Sequence, residues 1–159
     1  MTSDPEGLRV PAPQGPSLKA RALRLLSLRE QSRAELERKL RPHAESPEAL
    51  QAVLEWLAAK DLQSEAHTVE WVVNQRAAKL GTARVREEMR QRGLAPQAMA
   101  EALDALRQTE YERARQVWQQ KFGTVADSPQ AHARQVRFLA SRGFAPEVIR
   151  RVVQDRDDA

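Results

Sequence analysis

Arginine is the residue in this sequence best placed to do chemistry. Arg84, Arg86, Arg90 and Arg92 fall within nine positions, and Arg134, Arg137 and Arg142 form a second, looser group. A guanidinium is permanently charged and offers a planar fork that fits phosphate or carboxylate. Arg86 and Arg90 stand four apart and share a helical face, where like charges cost a few tenths of a kcal/mol unless something anionic faces them. Glu87 and Glu88 lie three and four residues before Arg90 and Arg92, so the same surface could neutralise itself. Arg76 and Lys79 upstream, and Arg115 and Lys121 downstream, are further candidates for contact with an anionic partner. Arg92 and Arg142 also precede glycines at expected helix ends, where a cation offsets the macrodipole.

Catalysis finds less support. There is no cysteine, which removes disulfides, thiolate metal sites and cysteine nucleophiles. His43, His67 and His132 are far apart and form no H-E-x-x-H pattern, so neither a metal nor acid–base work is expected. No glycine-rich phosphate loop occurs, and no cofactor is expected. Trp56, Trp71 and Trp118 could stack on nucleic-acid bases, but tryptophan at helical spacing is more often core. The 26 basic against 22 acidic residues leave a net charge of +4, which fits an anionic partner but by itself favours a plain ion-paired helical surface. No apolar run approaches the roughly 20 residues of a membrane span. The first sixteen residues contain four prolines and no apolar core of a signal peptide; the expected address is the cytoplasm.

The elements that must carry these side chains are helices. Ala, Leu, Arg, Gln and Glu dominate, glycine is scarce, and β-branched residues stand mostly alone. Residues 1–16 read as a disordered leader. Ser17 is a plausible cap, Ser32-Arg33-Ala34-Glu35 has the form of a capping box, and Ser46-Pro47, Ser64, Thr82, Pro96, Ser128-Pro129 and Pro146 mark further starts. Thr109-Glu110-Tyr111-Glu112 reads as another capping box, giving nine helices, with residues 155–159 a frayed acidic tail.

Those helices fall into a repeat. Arg92-Gly93-Leu94-Ala95-Pro96 and Arg142-Gly143-Phe144-Ala145-Pro146 match 50 residues apart, and Leu36, Leu40, Pro47, Leu50 and Leu54 lie 49 before Val85, Met89, Pro96, Met99 and Leu103. The expectation is an all-α protein of three tandem three-helix bundles, at 17–62, 63–107 and 108–154. Units this small bury little core and must lean on one another, giving an elongated, curved body.

The stretch Trp71-Val72-Val73-Asn74-Gln75-Arg76, Lys79-Leu80-Gly81 and Arg84 through Leu94 resembles the central signature of the RecX family. Lys121-Phe122-Gly123 and Arg137-Phe138-Leu139-Ala140-Ser141-Arg142-Gly143-Phe144 are similar to later elements of that family. The likeness runs from about Leu18 to Val153; His67 and Thr82-Ala83 depart from it, where the family commonly has a bulky aromatic and a proline-containing start. It implies a monomeric, non-enzymatic regulator that binds the RecA recombinase and lies in the groove of the RecA–DNA filament. Such a regulator limits filament growth or persistence and so lowers recombinase, ATPase and coprotease activities. From the residues alone, two other readings stay open: direct DNA binding by helix-turn-helix-like units, with weak affinity because Glu87 and Glu88 interrupt the basic helix, and a helical scaffold for another protein.

Overall fold

A computed structural model describes residues 15–154; the outer parts of the expected leader and the acidic tail lie outside the described residues. Eight α-helices and one 3₁₀ turn are present among the described residues, with no strand. Helix α1 (Leu18–Leu28) is capped by Ser17, whose hydroxyl accepts from the Ala20 amide at 3.1 Å. Helix α2 (Arg33–Leu40) carries the complete capping box of Ser32 and Glu35, and Pro42 turns its end into a 3₁₀ turn at Arg41–His43. Helix α3 (Pro47–Ala59) starts on Ser46 and α4 (Glu65–Arg76) on Ser64. Helices α5 (Thr82–Gln91), α6 (Pro96–Lys121), α7 (Pro129–Ser141) and α8 (Pro146–Gln154) complete the chain.

Three separate apolar cores form. Ala22, Leu36, Leu40, Leu50, Val53, Leu54 and Leu57 close the first among α1, α2 and α3. Val69, Val72, Val85, Met89, Leu94, Met99, Leu103 and Leu106 close the second among α4, α5 and the first half of α6. The third takes the second half of α6 with α7 and α8, through Ala114, Trp118, Leu139, Phe144, Ile149, Val152 and Val153. Trp118 is buried there as the helical spacing suggests, its indole N–H donating to Gln135 at 2.9 Å. Phe122 and Phe138 meet edge to face at 5.5 Å.

One expected helix start and one expected cap are corrected. The capping box at Thr109 does not exist, because α6 runs unbroken for 26 residues through the expected boundary at 107–108. Nothing between Gln97 and Lys121 is glycine or proline, so a run of good helix formers continues. The Thr109 hydroxyl instead bonds back to the Ala105 and Leu106 carbonyls. Among the described residues eight α-helices therefore replace the nine expected. Thr82 does not cap α5 either; Gly81 is the N-cap, and a carboxylate from α6 does the capping.

Candidate functional site

The units meet at two joints built to one plan. At the first, the Glu65 carboxylate of α4 accepts from the Arg33 amide, the first residue of α2, at 2.8 Å. At the second, the Glu110 carboxylate of α6 accepts from the Thr82 amide, the first residue of α5, at 2.7 Å. In both, an acid from the following unit sits on a helix N-terminus buried between units, where the macrodipole favours it. Each joint then closes through a C-cap arginine's carbonyl. Arg92 O accepts from the Ser32 hydroxyl, and Arg142 O from the Gly81 amide at 2.8 Å.

Around the first joint the chemistry is ionic. Glu35, almost fully buried, takes Arg29 at 2.6 Å and Arg92 at 3.3 Å, while Arg92 also reaches Glu88, which pairs with Arg76 at 3.0 Å. Burial alone would raise the Glu35 carboxyl, but hydrogen bonds from Arg29 and the Ser32 amide, with the charges of Arg29 and Arg92, hold it below the usual carboxylate range. Trp71 is half-buried, with the Arg29 and Arg92 guanidiniums 5.8 and 5.0 Å from its ring. Thr68 donates to the Gln31 carbonyl at 3.0 Å, tying α4 to the α1–α2 turn.

At the second joint Arg113 works inward. It donates to the carbonyls of Ala77, Leu80 and Leu106 and to the hydroxyls of Thr82 and Thr109. It thereby satisfies carbonyls left open where α4 ends. Burial pushes its guanidinium down and the Glu110 charge opposes that; it remains a cation.

Beside this second joint the surface dips into a concavity of about 610 Å³ between α4, α5 and the turn after α7. Arg76, Lys79, Arg84 and Arg142 line it with Glu87 and Glu88, so four cations face two carboxylates. Arg84 donates to the Ser141 carbonyl at 2.6 Å, and the Arg142 guanidinium lies 5.0 Å from the Phe138 ring. Those two are framework as well as lining. Lys79 is exposed.

The other sequence candidates go elsewhere. Arg86 and Arg90 line a separate groove of about 420 Å³ with Met99, Leu103 and Arg107, and Arg90 is paired with Glu87 at 2.7 Å. Arg92 is a joint residue, its Nε buried without a hydrogen-bond partner. Arg134 and Arg137 are exposed along α7, Arg115 is half-buried on α6, and Lys121 lies over Phe138 at 5.4 Å. Glu65, Glu110 and Arg113 are not distinguishable from surface charges in the sequence, and Glu35 is legible there only as a capping partner, since only the docking of units buries or aligns them. Among the described residues no group of acidic or histidine side chains could hold a metal ion, and no helix is long and apolar enough to cross a membrane.

Fold and site together define a class: tandem three-helix units that present charged surface and polar joints. Two family models agree, one for the third three-helix domain of RecX over residues 108–153 and one for the first over residues 19–57. The chain is 50% identical over 141 residues to the regulatory protein RecX of Leptothrix cholodnii, covering 89% of this chain and 90% of that protein. It is 44% identical to the RecX of Ralstonia nicotianae, with 89% of each covered. The crystal structure of RecX from Lactobacillus salivarius superposes with a TM-score of 0.73 at 17% identity, over 86% of this chain and 92% of that one. This chain belongs to the RecX family of regulatory proteins.

Proposed function

We propose that this protein binds the RecA recombinase assembled on DNA, seats itself in the groove of that filament, and limits filament growth or persistence. Recombinase, ATPase and coprotease activities of the filament fall as a result, and the chain itself catalyses nothing. The observation that carries the reading is the gathering of Arg76, Lys79, Arg84 and Arg142 in one open concavity of a RecX-family chain. An open, mostly cationic hollow suits the carboxylates and phosphates of a nucleoprotein surface. Arg86 and Arg90, with Arg115, Lys121, Arg134 and Arg137, supply further cationic contacts along the body, while Arg92 is held in the first joint.

The test compares binding to bare single-stranded DNA, to free RecA and to the assembled filament at moderate salt. Clear preference for the filament is expected. Equal affinity for bare DNA, with a steep salt dependence, would replace this reading by direct DNA binding.

A further inference from the structure

The first unit carries a surface that the reading above does not use. Between α1 and α2, Leu25, Leu28 and Leu40 form the floor of a concavity of about 180 Å³. Leu28, the last residue of α1, is 75% exposed, against 0–3% for the leucines of the adjoining core, Leu36, Leu40, Leu50, Leu54 and Leu57. The rim is made by Arg21, Arg24, Lys39 and His43, and among the described residues no carboxylate lines the hollow. Among the described residues none of these four takes part in an ion pair. Some arginines elsewhere on the body are matched, as Arg41 is to Glu37 and Arg107 to Asp104. What sets this face apart is Leu28, the most exposed large hydrophobic side chain among the described residues, beside Arg24 and Arg21.

We propose that the α1–α2 face docks an acidic peptide segment of a partner protein, anchored by one aliphatic side chain in the hollow and by carboxylates on the rim. Size and charge carry the argument. The hollow has room for a single aliphatic group, and an amphipathic segment anchors in an apolar groove in this way. Carboxylates on the same segment meet Arg21 and Arg24 in charge-assisted hydrogen bonds. Lys39 already holds Gln31 at 2.7 Å, and burial, with the nearby Arg29 charge, lowers its pKa; an arriving anion offsets that. A nucleic acid would satisfy the rim but leave Leu25 and Leu28 in water, so peptide is the better occupant. The face lies wholly in the first unit, so its occupation is separable from that of the concavity at the second joint.

Fluorescence anisotropy on the full chain tests this with three labelled probes: a short peptide of aspartate, glutamate and two leucines, its Leu→Ser counterpart of equal charge, and oligothymidylate. The leucine peptide is expected to bind roughly tenfold more tightly than its serine counterpart, the order of one buried aliphatic group. Leu28→Ser should erase that preference, and Arg24→Glu should weaken the leucine peptide roughly tenfold. Both side chains are exposed, so helicity by circular dichroism should stay unchanged. Equal binding of the two peptides, failure of the full chain to bind either, or oligothymidylate binding that is lost with the same two substitutions would each overturn the proposal.

Discussion

The two joints use one arrangement with different materials. At the first, side chains mediate: Ser32, Glu35, Glu65 and Arg92 bridge the units, with Trp71 beside them. At the second, beside the Glu110 carboxylate, backbone also meets backbone, with the Gly81 amide on the Arg142 carbonyl and the Gly143 turn pressed on the start of α5. Side-chain bridges can adjust by rotamer and can titrate. Backbone contact does neither. The first joint, with its cluster of ion pairs, should therefore yield more to pH and salt, while the second should respond more to steric change.

Steric change at the second joint gives the largest expected effect. A methyl at Gly81 would collide with the Gly143 carbonyl and the Phe144 amide, neither of which can rotate away. Gly81→Ala is expected to cost about 3 kcal/mol or more, read from the urea midpoint. At the first joint the matching pressure falls on a side chain. Gly93, at φ +76°, would place its methyl 2.5 Å from the Ala34 Cβ. Gly93→Ala is expected to cost about 2 kcal/mol, part of it from the left-handed backbone itself. Adding Ala34→Gly should recover the steric part. If no partner substitution helps Gly93→Ala, the two joints are equally rigid and the contrast fails.

Glu35→Gln probes the ionic side. Removing a buried carboxylate from between Arg29 and Arg92 is expected to cost about 2 kcal/mol at neutral pH. The folded state holds Glu35 below its ordinary value, so its contribution is complete above the unfolded carboxylate pKa of about 4.3 and fades as pH falls through the folded value. The gap between wild type and Glu35→Gln should therefore narrow from about pH 5 downward. A gap constant across that range would remove titration from the account.

Surface charges close the series. Arg76→Ala with Lys79→Ala is expected to weaken filament binding about tenfold while changing stability by about 0.5 kcal/mol or less. Arg86→Ala with Arg90→Ala should leave helicity intact, shift stability by less than about 0.5 kcal/mol, and reduce inhibition of the filament. If that double variant inhibits as wild type does, its groove is solvation alone.

Local chemistry was readable in advance. Ser17, Ser32, Ser46, Ser64 and Ser128 cap their own helices with their own hydroxyls, a bond closed within three residues. Thr109 carried the same signal and misled, because a capping sequence within uninterrupted helix formers has no break to cap. Thr82 misled for the opposite reason: its helix start is served by Glu110, 28 residues away. The site divides similarly. Four of the sequence-selected cations do converge in one concavity, but Arg84 and Arg142 are partly spent on holding units together. Which guanidinium is framework depends on docking, and docking is not periodic.

The unbroken α6 has a mechanical result. At 1.5 Å per residue its 26 residues make a strut about 39 Å long, embedded in two successive cores. The first core has no such member, being linked onward by the short segment 60–64. Any swivel between units should concentrate there, where only the side-chain bridges of the first joint resist it. Spin labels placed on α3 and α8 should report a broader distance distribution than a pair placed on α4 and α8.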